Sequence, residues 1–186
     1  PLKSETSLNI NVGVKYNPIN NLSFDLNLFN NKVHDLIEWQ LVAKGTNNTN
    51  IYSYFNINQV ETKGIEFNTT YKKADNYEIK IGYQLLYAYD TEVSRRFETE
   101  EIYANNINGV SFKLNKDDYF GLFNRSRHMG NIKILYHLNE KLDLNTLITY
   151  RSKYALNDAN GNDLLDMYDE FIEGYTLCDL GVTYFL

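Results

Sequence analysis

Over the stretch YEIKIGYQLLYAYD, the odd positions read Tyr77, Ile79, Ile81, Tyr83, Leu85, Tyr87 and Tyr89, while the even ones read Glu78, Lys80, Gly82, Gln84, Leu86, Ala88 and Asp90. One set is wholly apolar or aromatic; the other is largely polar or small. Successive side chains of a strand point to opposite faces, so this alternation specifies an amphipathic strand, well beyond the usual length of about five or six residues. Its apolar face has to be covered, either by a second protein layer or by lipid.

Six further segments carry the same pattern. In TSLNINVGVKYN, Leu8, Ile10, Val12, Val14 and Tyr16 share a face; after a turn at 18–21, LSFDLNLFN groups Leu22, Phe24, Leu26 and Leu28. GIEFNTTY groups Ile65, Phe67, Thr69 and Tyr71, and GNIKILYHL groups Ile132, Ile134, Tyr136 and Leu138. LDLNTLITYRS aligns Leu142, Leu144, Ile148 and Tyr150, and YTLCDLGVTYFL aligns Cys178, Leu180, Val182 and Tyr184. The expectation is therefore an all-β chain, an antiparallel up-and-down meander of about seven long strands with no helix of comparable strength.

The connections alternate between short, at 18–21, 72–76 and 139–141, and long, at 32–59, 91–127 and 153–174. A soluble sandwich has no reason to keep its long loops at one end, whereas transmembrane barrels have short turns on one side and long loops on the other. Strands of about ten residues or more also match the roughly 9 to 11 needed to cross a bilayer at a tilt. Tyr16, Tyr71, Tyr77 and Tyr136 fall near the short turns, as expected of a phenol ring at a membrane interface. Lys63 shares the lipid parity of its strand just above Ile65, which places it at or beyond the outer rim. On the opposite parity Phe29, Leu86, Leu135, Leu147 and Leu177 interrupt the polar set, which suits a lumen filled by protein better than an open channel.

Composition excludes several functions. With 24 acidic and 18 basic residues the net charge is −6, against the clustered cations that nucleic acid requires. The single cysteine, Cys178, forms no internal disulfide, and no run of about 18 apolar residues offers a transmembrane helix. Barrel strands alternate, so low mean hydropathy does not argue for a water-soluble protein. No catalytic constellation stands out: His34-Asp35 with Ser53 or Ser94 lacks a nucleophile elbow, and the histidines lack HExxH spacing. The chain is not expected to be an enzyme.

Several stretches together resemble the barrel of a TonB-dependent outer-membrane receptor. The clearest is NINQVETKGIEFNTTY, Asn56 to Tyr71, with its Thr-Lys-Gly-Ile-Glu core; LNLFNNKVHDLIE from Leu26, NRSRHMGNIKILYHL from Asn124 and the final YTLCDLGVTYFL follow in the family's order. The resemblance implies a place in the bacterial outer membrane, contact with outer-membrane lipid, a plug domain inside a 22-stranded barrel, and a TonB-binding segment ahead of the plug. Neither plug nor TonB-binding segment is visible in residues 1–186, and seven strands cannot close a barrel. The expected domain is thus a partial barrel from the C-terminal half, without plug or final strands.

The resemblance implies capture of a scarce nutrient (an iron-siderophore, haem, cobalamin or glycan) and import energised by TonB. Alternatives are a general porin-like channel and a soluble all-β binding or adhesion module. Candidate ligand-binding residues are Trp39, Tyr52, Tyr54, Phe55, Tyr103 and Phe120, suited to stacking, with Arg95, Arg96, Arg125 and Arg127 for anionic groups. Asp158, Asn160, Asn162 and Asp169 have part of the spacing of an EF-hand loop, although Asp163 replaces its glycine and flanking helices are missing. Calcium in the long loops is the one cofactor considered, beside the plainer reading of a solvated acidic loop.

Overall fold

The computed structural model describes residues 1–44, 49–73, 76–106, 108–162 and 164–185. In chain order the elements are β1 (Thr6–Ile19), β2 (Leu22–Lys44), β3 (Asn50–Lys73), β4 (Tyr77–Asp90), α1 (Thr91–Thr99), β5 (Ile102–Asn105), β6 (Ser111–Leu114), β7 (His128–Asn139), β8 (Leu142–Arg151), β9 (Tyr154–Asn157), β10 (Glu170–Ile172) and β11 (Tyr175–Tyr184), with a 3-10 turn at Lys116–Asp118. A seven-stranded antiparallel sheet runs β1-β2-β3-β4-β7-β8-β11, and the two end strands do not pair with each other. The seven expected strands are these, in the expected order, forming an open section of barrel wall.

Two expectations need correction. The segment 32–59 is no loop: β2 and β3 pair from Leu22↔Tyr71 out to Lys44↔Asn50. Measured from the Lys32↔Glu61 pair, this ribbon projects roughly 40 Å at about 3.3 Å per residue. Its strand character was hidden because Asp35 adopts φ 54°, which breaks the face alternation, while the Asn56 amide clamps the break by donating to the Asp35 carbonyl at 2.6 Å. Backbone pairing needs no alternation, so the ladder continues where the pattern stops. The segment 91–127 contains a genuine helix, α1. Its N-cap is Asp90, whose carboxylate accepts from the N–H groups of Glu92 (2.7 Å) and Val93 (3.3 Å).

Register fixes what lies on each face. Side by side on the outward face run Leu28, Ile65, Leu85 and His128; next Leu26, Phe67, Tyr83, Gly130 and Tyr150; next Phe24, Thr69, Ile81, Ile132 and Ile148; and then Leu22, Tyr71, Ile79 and Ile134. Phe24 stacks on Phe67 at 6.2 Å and Tyr71 meets Tyr77 at 5.9 Å, the latter pair near the short turns. No second layer covers this band among the described residues: Val12 is 62%, Val14 64%, Val182 68% and Leu180 80% exposed.

The buried apolar residues lie elsewhere. Ile102, Ala104, Leu114 and Leu164 form a small core with Val93, Phe97 and Tyr168 packed against it, all from the long connections. The molecule therefore has a bare sheet and a loop layer with its own core at one end. The loop layer is what the short turns lack.

Candidate functional site

The inward face is a polar wall. In one row across the sheet, Gly13, Asn27, Glu66 and Gln84 are neighbours, and Glu66 accepts from the amides of Asn27 (3.2 Å) and Gln84 (2.9 Å). In the next row Gly82 stands between Asn68 and Asn131; a Cβ there would lie 2.8 Å from the Asn131 amide, so glycine leaves room for the asparagines. Nearer the short turns Glu78 pairs with Lys72 (3.3 Å) and Lys80 (3.0 Å), and His137 meets Asp143 at 2.7 Å. Such groups can meet water or a polar protein surface at no desolvation cost. Of the apolar inward residues, Phe29 is packed over Gly64, whereas Leu147 and Leu177 stay exposed.

The loop layer is tied to the upper end of β4. The chain at 121–122 runs close along Ala88: the Leu122 N–H donates to its carbonyl at 3.0 Å, and a Cβ on Gly121, at φ +100°, would meet the same oxygen at 2.1 Å. The Tyr119 hydroxyl accepts from the Asp90 N–H at 3.0 Å, and burial pushes its phenol up to about 12. Below it, Arg151 on the inward parity donates to the buried Ser126 hydroxyl (2.7 Å) and to the Asn124 carbonyl (3.0 Å), fixing the approach to β7.

Where α1, residues 116–127 and the tops of β3 and β4 meet, a cavity of ≈ 710 Å³ gathers Arg95, Arg125, Arg127 and Phe120 from the candidate set. Arg127 lies over the Tyr87 ring at 4.9 Å; Arg95 is held by Glu92 at 2.6 Å. Arg96 and Tyr103 do not join them. Arg96 pairs with Glu100 at 3.4 Å, and the Tyr103 hydroxyl donates to Glu101 at 2.8 Å. Tyr52, Tyr54 and Phe55 are exposed on the distant ribbon, where Tyr54 is the backbone partner of Trp39; the Trp39 side chain lies outside the described residues. The site the candidates define is thus two places, an aromatic ribbon and a cationic cavity. Sequence reasoning missed Lys63, Lys116, Tyr87, Tyr89 and Tyr119 as cavity residues, because only register brings β3, β4 and residues 116–119 together.

The acidic loop turns its oxygens inward on itself. Asp158 accepts from Gly161 N–H (2.7 Å), Asp169 from Ala159 and Asp166 N–H (2.9 and 2.7 Å), and the fully buried Asp166 from the Asn160 and Asn162 amides (3.2 and 2.9 Å). Burial pushes the Asp169 carboxyl up, and the charges of Asp166 and Asp158 add to it. Asp163 lies outside the described residues, and among those described no group of three or more His, Cys, Asp or Glu is arranged to hold an ion. The donors fit the loop's own N–H groups and do not form a calcium cage. Ser94 likewise serves local structure, its hydroxyl donating to the Asp90 carbonyl at 3.0 Å.

Comparison with known proteins places this arrangement. The profile of the TonB dependent receptor-like β-barrel family matches residues 1–185, and the chain belongs to that family. Its members are transport receptors of the outer membrane, which sets aside the soluble-module reading. No curated protein sequence matches. Solved structures similar in fold include a mutant of the ferric enterobactin receptor PfeA from Pseudomonas aeruginosa, at TM-score 0.65 and 21% identity over 100% of this chain and 24% of that one. The siderophore receptor PiuA from Acinetobacter baumannii follows at 0.59 and 15% over 96% and 22%, and the copper transporter OprC at 0.61 and 12% over 98% and 23%. The chain spans about a quarter of the length of these structures.

Proposed function

We propose that residues 1–186 form part of the wall and outer loops of an outer-membrane receptor that captures a scarce nutrient and imports it with energy relayed by TonB. One observation carries this: an uncovered apolar band stands opposite a hydrogen-bonded polar face lined with glycine and asparagine. Lipid covers the first face, and a plug domain of the same chain meets the second. The loop layer and the aromatic ribbon stand where a ligand arrives. The siderophore receptors and the copper transporter among the similar folds put metal-bearing ligands first for testing, with haem, cobalamin and glycans after them.

A general channel is the weaker reading, because an open water-filled lumen gives Leu147 and Leu177 nothing to pack on. The test is growth of a strain lacking the gene on media with one defined iron, copper, cobalamin, haem or glycan source. Loss of growth on one source, reproduced by disabling TonB, is the expected result. A uniform fall in uptake of many unrelated small solutes, unaffected by TonB, would sink the receptor reading in favour of a channel.

A further inference from the structure

The outward face changes character along a line that register defines. The last apolar row is Leu28, Ile65 and Leu85; the next outward neighbours are Asn30, Lys63 and Tyr87, and the next are Lys32, Glu61 and Tyr89. β3 and β4 pair from Val60↔Asp90 to Lys73↔Tyr77 with no irregularity, so these residues share the parity of Ile65, Ile79 and Ile81. Every side chain that this odd parity of the sheet contributes to the cavity, namely Glu61, Lys63, Tyr87 and Tyr89, is therefore on the lipid-facing side. The cavity opens on the outer wall, directly above the apolar band, and not on the lumen.

Its free charge is cationic. Lys63, Arg125 and Arg127 form no ion pair within 4.0 Å among the described residues, whereas Glu61, the nearest carboxylate, is taken by the Tyr89 hydroxyl (2.6 Å) and the Asn30 amide (2.7 Å). Lys63 sits over the Tyr89 ring at 5.2 Å and Arg127 over Tyr87 at 4.9 Å. The site is also built in advance. Ser126 is 1% exposed and anchored by Arg151, and the Arg127 carbonyl accepts from the Leu86 N–H at 2.8 Å; a bend at Arg127 then turns its guanidinium to the outward face.

We propose that this rim cavity binds the phosphate-bearing headgroup of a lipid in the outer leaflet. Guanidinium groups match phosphate oxygens in a bidentate fork, Lys63 supplies a point charge, and the two phenols hold the level where acyl chains give way to headgroups. The position decides between lipid and soluble anion: an acyl chain attached to the bound headgroup continues down over Leu85, Ile65 and Leu28 with no break in apolar contact.

The test uses the complete receptor in nanodiscs of phosphatidylcholine doped with phosphatidic acid, reading lipid retained on the purified protein by native mass spectrometry. Wild type is expected to retain phosphatidic acid over phosphatidylcholine. Arg125→Gln/Arg127→Gln, and separately Lys63→Gln, should lose that preference, the double variant by about tenfold or more. Lys80→Gln/Lys133→Gln, on the inward face, should keep it. Unchanged retention in both rim variants overturns the proposal, as does an equal loss from the inward-face variant, which would reduce the effect to net charge. Displacement of phosphatidic acid by an equimolar amount of inorganic phosphate would make this a site for soluble anions and overturn the lipid assignment. Since receptor function is not read, failure here leaves the import reading standing, and the growth test can fail without touching this one.

Discussion

Gly64 is the tightest packed of the inward residues: a Cβ there would lie 2.0 Å from the Leu85 carbonyl oxygen and 2.8 Å from the Phe29 ring. The first of these is backbone and cannot rotate away. Gly64→Ala is expected to destabilise the refolded receptor by about 1–3 kcal/mol, read as a lower urea midpoint; an unchanged midpoint would show that β3 and β4 are looser than they stand here. At Tyr119 the prediction concerns pH. Burial raises its phenol from 10.0 to about 12, so the folded state keeps the proton longer than the unfolded chain. The stability this residue contributes is then complete below pH 10 and is lost as pH rises through about 12. Tyr119→Phe, which leaves the Asp90 N–H without its acceptor, should cost about 1 kcal/mol at neutral pH, and its deficit relative to wild type should shrink between those two values. A deficit independent of pH would mean that the phenol is not buried.

At the scale of elements, β4 offers the sharpest comparison between its faces. Ile81 lies between Tyr77 at the short-turn end and Tyr87 at the outer rim, near the middle of the apolar band, while Gln84 points inward to Glu66. Ile81→Arg should cost about 2–4 kcal/mol in a bilayer and Gln84→Arg far less; equal costs would undo the face assignment. The same strand shows why the sheet was legible in the sequence. A period of two survives wherever one face meets lipid and the other a polar interior, and it disappears where both faces leave the bilayer. Past Lys32 the β2–β3 ribbon has no such constraint, and the left-handed Asp35 shifts the pattern, so a strand read as a loop. In α1 the signals were local and present, an Asp90 cap with Glu92 in the first turn and Arg96 in the last, but nine residues give too few turns for a helical period to stand out.

The whole molecule holds its largest apolar surface on the outside. A sheet whose Val12, Val14, Val182 and Leu180 are mostly exposed cannot persist as a monomer in water, because contiguous apolar patches of that kind drive association. Residues 1–186 produced alone are expected to stay dispersed only in detergent, with light scattering rising at once on dilution into plain buffer. A monodisperse detergent-free preparation would count against a membrane-facing band.

What the sequence determined by itself is the wall: seven strands, their order, and which face of each is apolar, since alternation and turn residues are local properties of the chain. The ordered set of segments around Thr62-Lys63-Gly64-Ile65-Glu66 carried the family resemblance as well. Tertiary structure alone decided where the loop residues act. Arg125 and Arg127 are separated by some thirty to sixty residues from Lys63, Arg95 and Tyr87, and nothing in their spacing says that they meet, or on which side of the wall. Register across β3 and β4, the pinning of Ser126 by Arg151 and the close passage of Gly121 along Ala88 bring them together on the outward rim. Those are contacts between distant segments, and a linear pattern does not encode them.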